Sequence, residues 1–250
     1  MADLINKLKW IKTYGTRIDV LRTLCLNFKK LPFKQAIHIP IILGKGIRLK
    51  NISGNIIIDS ERVYSGMVTY GIYNTVVDHN SYVGILDIVG TLIIKGMVTF
   101  HTGVKIVVRK NAVLIFNGEN TIGHSTLVCC AKKILLGIYS TVSWNCQIYD
   151  TNFHFFMDIS KKTVKPRNSQ VIIGNYVFCG NGSNITKGAI IPDGCVISNF
   201  SVVNKDFTSD GTNLLLAGNP AKIIKKGYKF IIGNTIRDNK PEQEYAKILD

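Results

Sequence analysis

The sequence predicts an all-β fold in which rows of six residues stack into a prism, and three columns of residues support this. Between residues 173 and 204 an apolar residue recurs at every sixth position. A second column holds small residues and a third holds three glycines. Neither the helical period of 3.6 nor the alternation of a single strand produces such columns. The apolar column contains Ile173, Cys179, Ile185, Ile191, Ile197 and Val203.

Each column has a physical role in a prism with short strands on its faces and turns at its corners. The large aliphatic residues fill the interior, and small residues fit where the interior narrows. Glycine supplies turn dihedrals that a residue with a Cβ resists. The small column contains Val177, Ser183, Ala189, Cys195 and Ser201, and the glycines are Gly182, Gly188 and Gly194.

The same pattern recurs earlier in the chain. Residues 136–147 form two further rows that lead into Ile148, and residues 122–128 form an earlier piece with a shifted register. Residues 88–108 predict strands separated by Gly90, Gly96 and Gly103, which is a looser version of the same coil.

Three parts of the chain follow from this pattern. Residues 1–35 carry apolar residues among basic ones and predict one or two short amphipathic helices. Residues 36–228 form the repeat domain, and residues 229–250 form a C-terminal extension. Within the domain, residues 152–170 lose the register and predict a loop that leaves the coil, and loops of this length are usually functional. The apolar residues of the first part are Leu4, Leu8, Ile11, Val20, Leu21 and Leu24.

The formal charge of +15 predicts an anionic partner. Lysine and arginine are spread along the chain without the compact run of a nucleic-acid-binding arm. A polyphosphate cofactor, an acidic glycan or an anionic membrane surface fits, and the basic N-terminal segment suggests peripheral membrane association. No apolar run reaches the roughly 18–20 residues of a membrane span, and the N-terminus lacks the features of a secretory signal. The cytoplasm is therefore the expected compartment.

The chain resembles the hexapeptide-repeat acyltransferases, and most closely the sugar O-acetyltransferases of surface-polysaccharide synthesis that are related to maltose and galactoside acetyltransferases. The resemblance runs from about Leu31 to Tyr228. It rests on the repeat, on the motif at residues 150–154 (DTNFH) and on the phrase AGNPAK at residues 217–222. Phe178 and Phe200 depart from the pattern, since many relatives carry tryptophan at the first position and small residues at the second.

This resemblance implies a left-handed parallel β-helix that assembles as a homotrimer. In that geometry Ile173 stacks over Ile191, and Cys179 over Ile197. The implied reaction transfers an acetyl group from acetyl-CoA, which lies in the groove between adjacent subunits, to a hydroxyl of a saccharide acceptor.

The resemblance also implies the catalytic residues. His154 is the expected general base, because imidazole titrates near neutral pH and an alcohol is a poor nucleophile. Asp150 either orients the imidazole or caps the turn that begins the loop. Asn145 and Trp144 are candidates for the acceptor pocket. We expect direct transfer without an acyl-enzyme, because the repeat places Cys146, Cys179 and Cys195 in the interior.

The expected contacts with acetyl-CoA come from residues after the loop. Gly180 and Asn181 would line the pantetheine arm, with Ser198 and Asn199 in the next layer on the same side. Lys205 and Lys222 are candidates for the CoA phosphates. No metal is expected, because no Cys-x-x-Cys pair occurs. His38, His79, His101 and His124 are interpreted as structural, with His124 pointing outward.

Four alternatives bear on function. A γ-class carbonic anhydrase shares the β-helix but needs three converging histidines, two of them closely spaced, which the sequence lacks. A serine acetyltransferase would need a far larger N-terminal domain than residues 1–35. An N-acyltransferase for an amino sugar remains open, and so does a scaffold or binding protein without catalysis, because fold does not imply function.

Overall fold

The computed structural model of the protein describes residues 15–72 and 83–231. In these ranges the chain winds as a parallel β-helix with three sheets, which we name I, II and III in the order in which each coil visits them. Sheet I contains β1 (Ile41–Leu43), β4 (Val68–Tyr70), β7 (Val98–Phe100), β10 (Asn120–Ile122), β13 (Thr141–Val142), β18 (Phe178–Cys179), β21 (Val196–Ile197), β23 (Leu214–Ala217) and β24 (Lys222–Lys226).

The other two sheets complete each coil. Sheet II contains β2 (Ile47–Asn51), β5 (Gly84–Ile88), β8 (Lys105–Val108), β11 (Leu127–Cys130), β14 (Gln147–Tyr149), β19 (Asn184–Ile185) and β22 (Val202–Val203). Sheet III contains β3 (Asn55–Ile58), β6 (Thr91–Ile94), β9 (Val113–Phe116), β12 (Lys133–Leu136), β17 (Val171–Ile173) and β20 (Ile190–Ile191).

The register of the strands confirms the stacking predicted from the six-residue rows. Ile173 pairs with Ile191, and Cys179 pairs with Ile197, each in a parallel ladder. Every residue of the apolar column and of the small column is buried. The three glycines of the third column all have left-handed backbone, with φ between 67° and 84°. Residues six positions apart in the sequence therefore occupy equivalent positions in the cross-section of the coil.

The earlier coils are wider than the later ones, which explains their looser pattern. Strands β1 to β12 are three to five residues long, whereas strands β18 to β22 are each two residues long. Aromatic rings fill the larger interior: Tyr70 and Phe100 lie 5.0 Å apart, and Phe100 meets Phe116 edge-on at 5.2 Å. Such pairs add about 0.5–1.5 kcal/mol beyond the burial of their area.

Helix α1 (Val20–Lys30) covers the first coil, which agrees with a helical N-terminal segment. Asp19 caps it by accepting from the N–H of Arg22, and the buried Asn27 side chain bonds both backbone groups of Ile41. A short helix α2 (Phe33–Ala36) follows. The buried face is not the expected one, because the apolar side chains of Val20, Leu21 and Leu24 are exposed. Leu4, Leu8 and Ile11 lie outside the described residues.

The register break at residues 152–170 is a real excursion from the coil. It leaves after β14 and returns at β17, so it replaces the turn between sheets II and III. The excursion contains an antiparallel hairpin, β15 (Phe156–Asp158) with β16 (Thr163–Lys165), which the sequence pattern did not predict. Short 3₁₀ turns occur at Gly15–Arg17 and Thr208–Asp210. In the described ranges, no helix combines the length and apolarity required to cross a membrane.

Candidate active site

The turns between sheets I and II form a column of repeated conformation that includes Asn145. The third residue of five successive turns has left-handed backbone, with φ between 54° and 73°. Asparagine tolerates this conformation better than most residues, which gives Asn145 a structural reason to occur there. Its exposed side chain also lines a groove of about 520 Å³ with Arg48, Lys105 and Ser125. The left-handed residues are Gly103, Ser125, Asn145, Gly182 and Phe200.

The predicted cofactor residues after the loop form a hydrogen-bonded ladder along the same corner. The Asn199 side chain accepts from the N–H of Asn181 at 2.9 Å. The Asn181 side chain in turn accepts from the Ser143 hydroxyl and, at 3.4 Å, from the N–H of Trp144. A Cβ on Gly180 would lie 2.4 Å from Oδ1 of Asn199, so glycine is required there. The ladder therefore brings the predicted acceptor and cofactor residues onto one edge of the coil.

Ser198 and Lys222 belong to the same end of this corner. Ser198 donates its N–H to Leu216 at 2.9 Å. Ala221 donates its N–H to Val202 at 2.8 Å, which brings the exposed Lys222 close to the last turn of the corner. Lys205 lies elsewhere: it is at the corner between sheets II and III, with Nζ 4.6 Å from the centroid of the Phe207 ring.

Asp150 is fully buried, and its carboxylate holds the turn of the preceding coil. Its oxygens accept from the backbone N–H groups of Ala131, Lys132 and Lys133 at 2.6–2.7 Å. The described hydrogen bonds include none between Asp150 and His154. The geometry gives Asp150 a turn-binding role, at the turn between β11 and β12 one coil earlier and not at the start of its own loop.

His154 is exposed near the start of the excursion, where the backbone turns sharply. The backbone N–H of His154 donates to the carbonyl of Asn152 at 2.7 Å, and Phe153 has left-handed backbone with φ of 61°. The neighbouring rings of Phe153 and Phe155 are 51% and 66% exposed. The His154 side chain is therefore accessible to a ligand, and the residues on either side of it in the chain present exposed aromatic rings.

In a single chain, His154 and the amide ladder lie on different corners. The ladder follows sheet I, and the excursion follows sheet II, with the three residues of β14 between them in the same coil. At about 3.3 Å per residue, that strand separates the two corners by roughly 10 Å. One chain therefore supplies the two halves of the predicted site on separate edges.

His101 and His124 lie at the corner between sheets I and II, in two adjacent coils. Nδ1 of His124 is 2.8 Å from Oγ1 of Thr102, and His124 is 2% exposed, which corrects the expectation that it points outward. Nδ1 of His101 is buried without a hydrogen-bond partner in the structure. Burial, and secondarily the nearby His124, lowers the pKa of His101 to about 4.

The low pKa of His101 predicts a loss of stability in mild acid. Below its ordinary pKa of about 6.5, His101 is protonated in the unfolded chain but stays neutral in the folded chain. The free energy of unfolding therefore falls as the pH is lowered from about 6.5 to about 4. We expect this group to contribute about 2 kcal/mol to that fall, given 1.36 kcal/mol per pKa unit and some relaxation of the site. Urea unfolding at pH 7 and pH 4.5 should show a smaller difference for His101→Gln than for the wild type. If the free energy of unfolding changed equally with pH in both proteins, the low pKa of His101 would be contradicted.

The cysteines are poor nucleophiles in this fold. Five of the six are buried, and Cys25 is the exposed one. Burial raises the pKa of Cys146 to about 11 and that of Cys179 well above its ordinary range. Because the thiolate is the reactive form, these interior thiols are unsuited to carry an acyl group. Residues 15–72 and 83–231 contain no group of three potential metal ligands, and His79 lies outside those ranges.

The chain matches known proteins at two levels. No family model matches it. The "Uncharacterized 24.8 kDa protein in cps region" of Klebsiella pneumoniae is 30% identical over 219 residues, which cover 84% of this chain and 94% of the relative. Among solved structures, the polySia-specific acetyltransferase NeuO has a TM-score of 0.56 and 23% identity, over 80% of each chain.

A more distant likeness is to AntD, an N-acyltransferase from Bacillus cereus solved with dTDP and 3-hydroxybutyryl-CoA. Its TM-score is 0.40 with 14% identity, over 84% of this chain and 88% of AntD. The likeness to NeuO establishes the fold as the left-handed β-helix built from hexapeptide repeats, in agreement with the three parallel sheets. The identity to the cps-region protein extends over nearly the whole relative. The chain therefore belongs to the family of the 24.8 kDa cps-region protein of Klebsiella pneumoniae.

Proposed function

We propose that this protein is an acetyl-CoA-dependent O-acetyltransferase that acts in the cytoplasm on a sugar hydroxyl during surface-polysaccharide synthesis. The observation that carries the proposal is the exposed His154 on a tight turn of the only long excursion in the described part of the β-helix. Two comparisons support it: a relative in a cps region, and the shared fold of NeuO, a polySia-specific acetyltransferase.

In the proposed reaction His154 takes the proton of the acceptor hydroxyl as the oxygen attacks the thioester carbonyl. A C–O bond forms, the C–S bond breaks, and the His154 imidazolium gives its proton to the departing sulfur, so that coenzyme A leaves as the thiol. A backbone N–H at the coil edge would stabilise the oxyanion of the tetrahedral intermediate. Direct transfer fits the interior position of Cys146, Cys179 and Cys195, which leaves no accessible thiol at the coil edge to form an acyl-enzyme.

The donor site would lie along the corner between sheets I and II. The groove beside Asn145 carries Arg48 and Lys105, whose charges fit the phosphates of coenzyme A. The amide ladder through Asn181 offers polar groups for the pantetheine arm. Lys222 lies near the last turn of this corner and could meet a phosphate, whereas Lys205 would have to act from the other corner.

A homotrimer would join the two halves of the site. His154 and the amide ladder lie on separate corners of one prism, so packing prisms side by side can bring the loop of one subunit to the groove of the next. The excursion is suited to an interface, because it exposes large apolar side chains that a lone chain leaves in water. These are Phe155, Phe156, Met157, Ile159 and Val164.

N-acylation of an amino sugar is the second candidate, because the same base and donor site would serve an amine. A scaffold without catalysis is the third, and it predicts no coenzyme A binding. The test is thiol release from acetyl-CoA with a panel of neutral, acidic and amino saccharides. Release that depends on a hydroxyl acceptor supports the proposal, and release only with amino sugars assigns N-acylation. No release together with no coenzyme A binding by calorimetry contradicts enzyme function.

A further inference from the structure

A basic pocket lies at the base of the excursion, and its lining includes Phe153, the residue that precedes His154. It has a volume of about 460 Å³, within the roughly 300–1,000 Å³ typical of small-molecule sites. Its walls come from the turn after β8 and from both ends of the excursion. We call it the loop-base pocket; its polar and aromatic lining consists of Arg109, Lys110, Thr151, Phe153, Arg167 and Asn168.

Hydrogen bonds join the two ends of the excursion, so the backbone around the pocket is held in a defined position. Thr151 and Asn168 form an antiparallel bridge, and the N–H of Asn152 donates to the carbonyl of Arg167 at 3.0 Å. Lys187, from the next coil, donates to the carbonyl of Pro166 at 2.7 Å. These bonds fix the backbone on which the charged groups of the pocket stand.

The net charge of the side chains that line the pocket is positive. In the ranges that the structure describes, neither Arg109, Lys110 nor Arg167 forms an ion pair with a carboxylate. The Asp150 carboxylate accepts from three backbone N–H groups, including that of the pocket residue Ala131, and Asp87 pairs with Lys50 at 3.3 Å. Three cations line the cavity, and the Asp150 carboxylate bonded to its wall offsets only one of them, so the net positive charge favours an anionic ligand.

Two further groups indicate a saccharide. Oδ1 of Asn168 is buried without a hydrogen-bond partner, an arrangement that costs free energy until a donor reaches it. A sugar hydroxyl is such a donor. The Arg167 guanidinium lies 5.0 Å from the Phe155 ring, which orients it, and the exposed Phe153 ring offers an apolar surface for one sugar face. His154 lies between these two aromatic residues in the chain.

We propose that the loop-base pocket binds the carboxylate of an acidic saccharide, so that the acceptor of this enzyme is a polysaccharide that carries carboxylate groups. This inference rests on the proposed function and names its substrate class. The planar guanidinium groups of Arg109 and Arg167 suit bidentate binding of an oxyanion. A hydroxyl of the bound sugar then lies beside His154, whereas an uncharged sugar lacks this anchor.

A binding test separates this inference from the question of catalysis. Oligosaccharides of hexuronic acid and of sialic acid are compared by calorimetry with their carboxyl methyl esters, which differ only in charge. We expect at least one acid form to bind at least tenfold more tightly than its ester, and Arg167→Gln to abolish this difference. Arg62→Gln removes the same charge from an exposed site outside the pocket and should preserve it. Equal binding of all acids and esters overturns the inference, whether or not acetyl transfer is observed.

The anion could instead be a phosphate of coenzyme A, and a matched pair of variants distinguishes the two sources. Arg167→Gln is expected to raise KM for an acidic acceptor about tenfold and to leave KM for acetyl-CoA unchanged, while Arg48→Gln in the other groove should do the reverse. Binding of 3′,5′-ADP should likewise depend on Arg48 and not on Arg167. Loss of 3′,5′-ADP binding in Arg167→Gln, with acceptor binding intact, would assign the pocket to the donor and overturn the inference.

Discussion

Replacing His154 by alanine is expected to lower kcat/KM for acetyl transfer at least about a hundredfold, the usual scale of a lost general base. The reason is that no other titratable side chain lies next to it on the exposed turn at residues 152–155. The loss should appear mainly in kcat, because the imidazole acts as the proton moves. Initial rates of thiol release with saturating acetyl-CoA measure this directly.

The control for this variant is His38→Ala, which removes another exposed histidine, near helix α2 and far along the chain from the excursion. His38→Ala should keep the wild-type rate, and both variants should bind coenzyme A and unfold at the wild-type temperature. Wild-type activity in His154→Ala would refute the general base while leaving the fold and the donor site intact. A parallel loss of coenzyme A binding would instead assign His154 a binding role.

Replacing Asp150 by alanine is expected to destabilise the protein by about 4 kcal/mol. The carboxylate accepts from three backbone N–H groups in a fully buried position. Leaving a buried donor unpaired costs about 1–3 kcal/mol, and bonds to a charged acceptor are the stronger ones. Chemical unfolding in urea gives the free energy, and thermal unfolding should show a drop of several degrees.

Two further variants separate the buried hydrogen bonds from the charge itself. Asp150→Asn keeps the shape of the side chain but places an amide NH₂ group against backbone N–H donors. We therefore expect it to lose most of the stability that Asp150→Ala loses. Asp59→Asn removes an exposed carboxylate that pairs with Lys95 at 3.5 Å, and such pairs are worth about 0–1 kcal/mol. Similar stability losses at both positions would mean that net charge, and not the turn at residues 131–133, explains the effect.

The Asp150 result would also bear on catalysis. The carbonyl of Asp150 accepts from the N–H of Ser169 at 2.9 Å, so this residue ties the start of the excursion to its end. If Asp150 also oriented His154, its removal would lower activity in protein that is still folded. The hydrogen bonds of the structure favour a loss of activity that follows the loss of fold, with a near-normal rate per folded molecule.

Much of the coil was predictable because the information is local and periodic. Ile173, Cys179 and Ile185 occupy interior positions for the same reason, namely that each row of six residues spans one face of the same prism. The position of the excursion was predictable too, because a break in the register has to leave the coil. The wide early coils were less clear, since Tyr70 and Phe100 fill a larger interior through longer strands.

Other features depend on which residues meet across coils. Asp150 binds the turn at Ala131, and the hairpin inside the excursion pairs Met157 with Val164. His101 and His124 lie near each other at one corner although their rows carry no motif. The sequence has no signal for these contacts, because a side chain at a corner can bond to the coil above it, to the coil below it or to solvent.

By itself the sequence determined the repeat, the face of each row that is buried, the place where the coil opens and the motif that contains His154. Only the tertiary structure decided the partners of Asp150, the separation of His154 from the amide ladder, and the pocket between Arg109 and Arg167. The physical reason is that hydrophobic periodicity is set within one row, whereas polar side chains at the corners find partners in other coils. Those partners lie close in space because the coils stack, not because they are near in the chain.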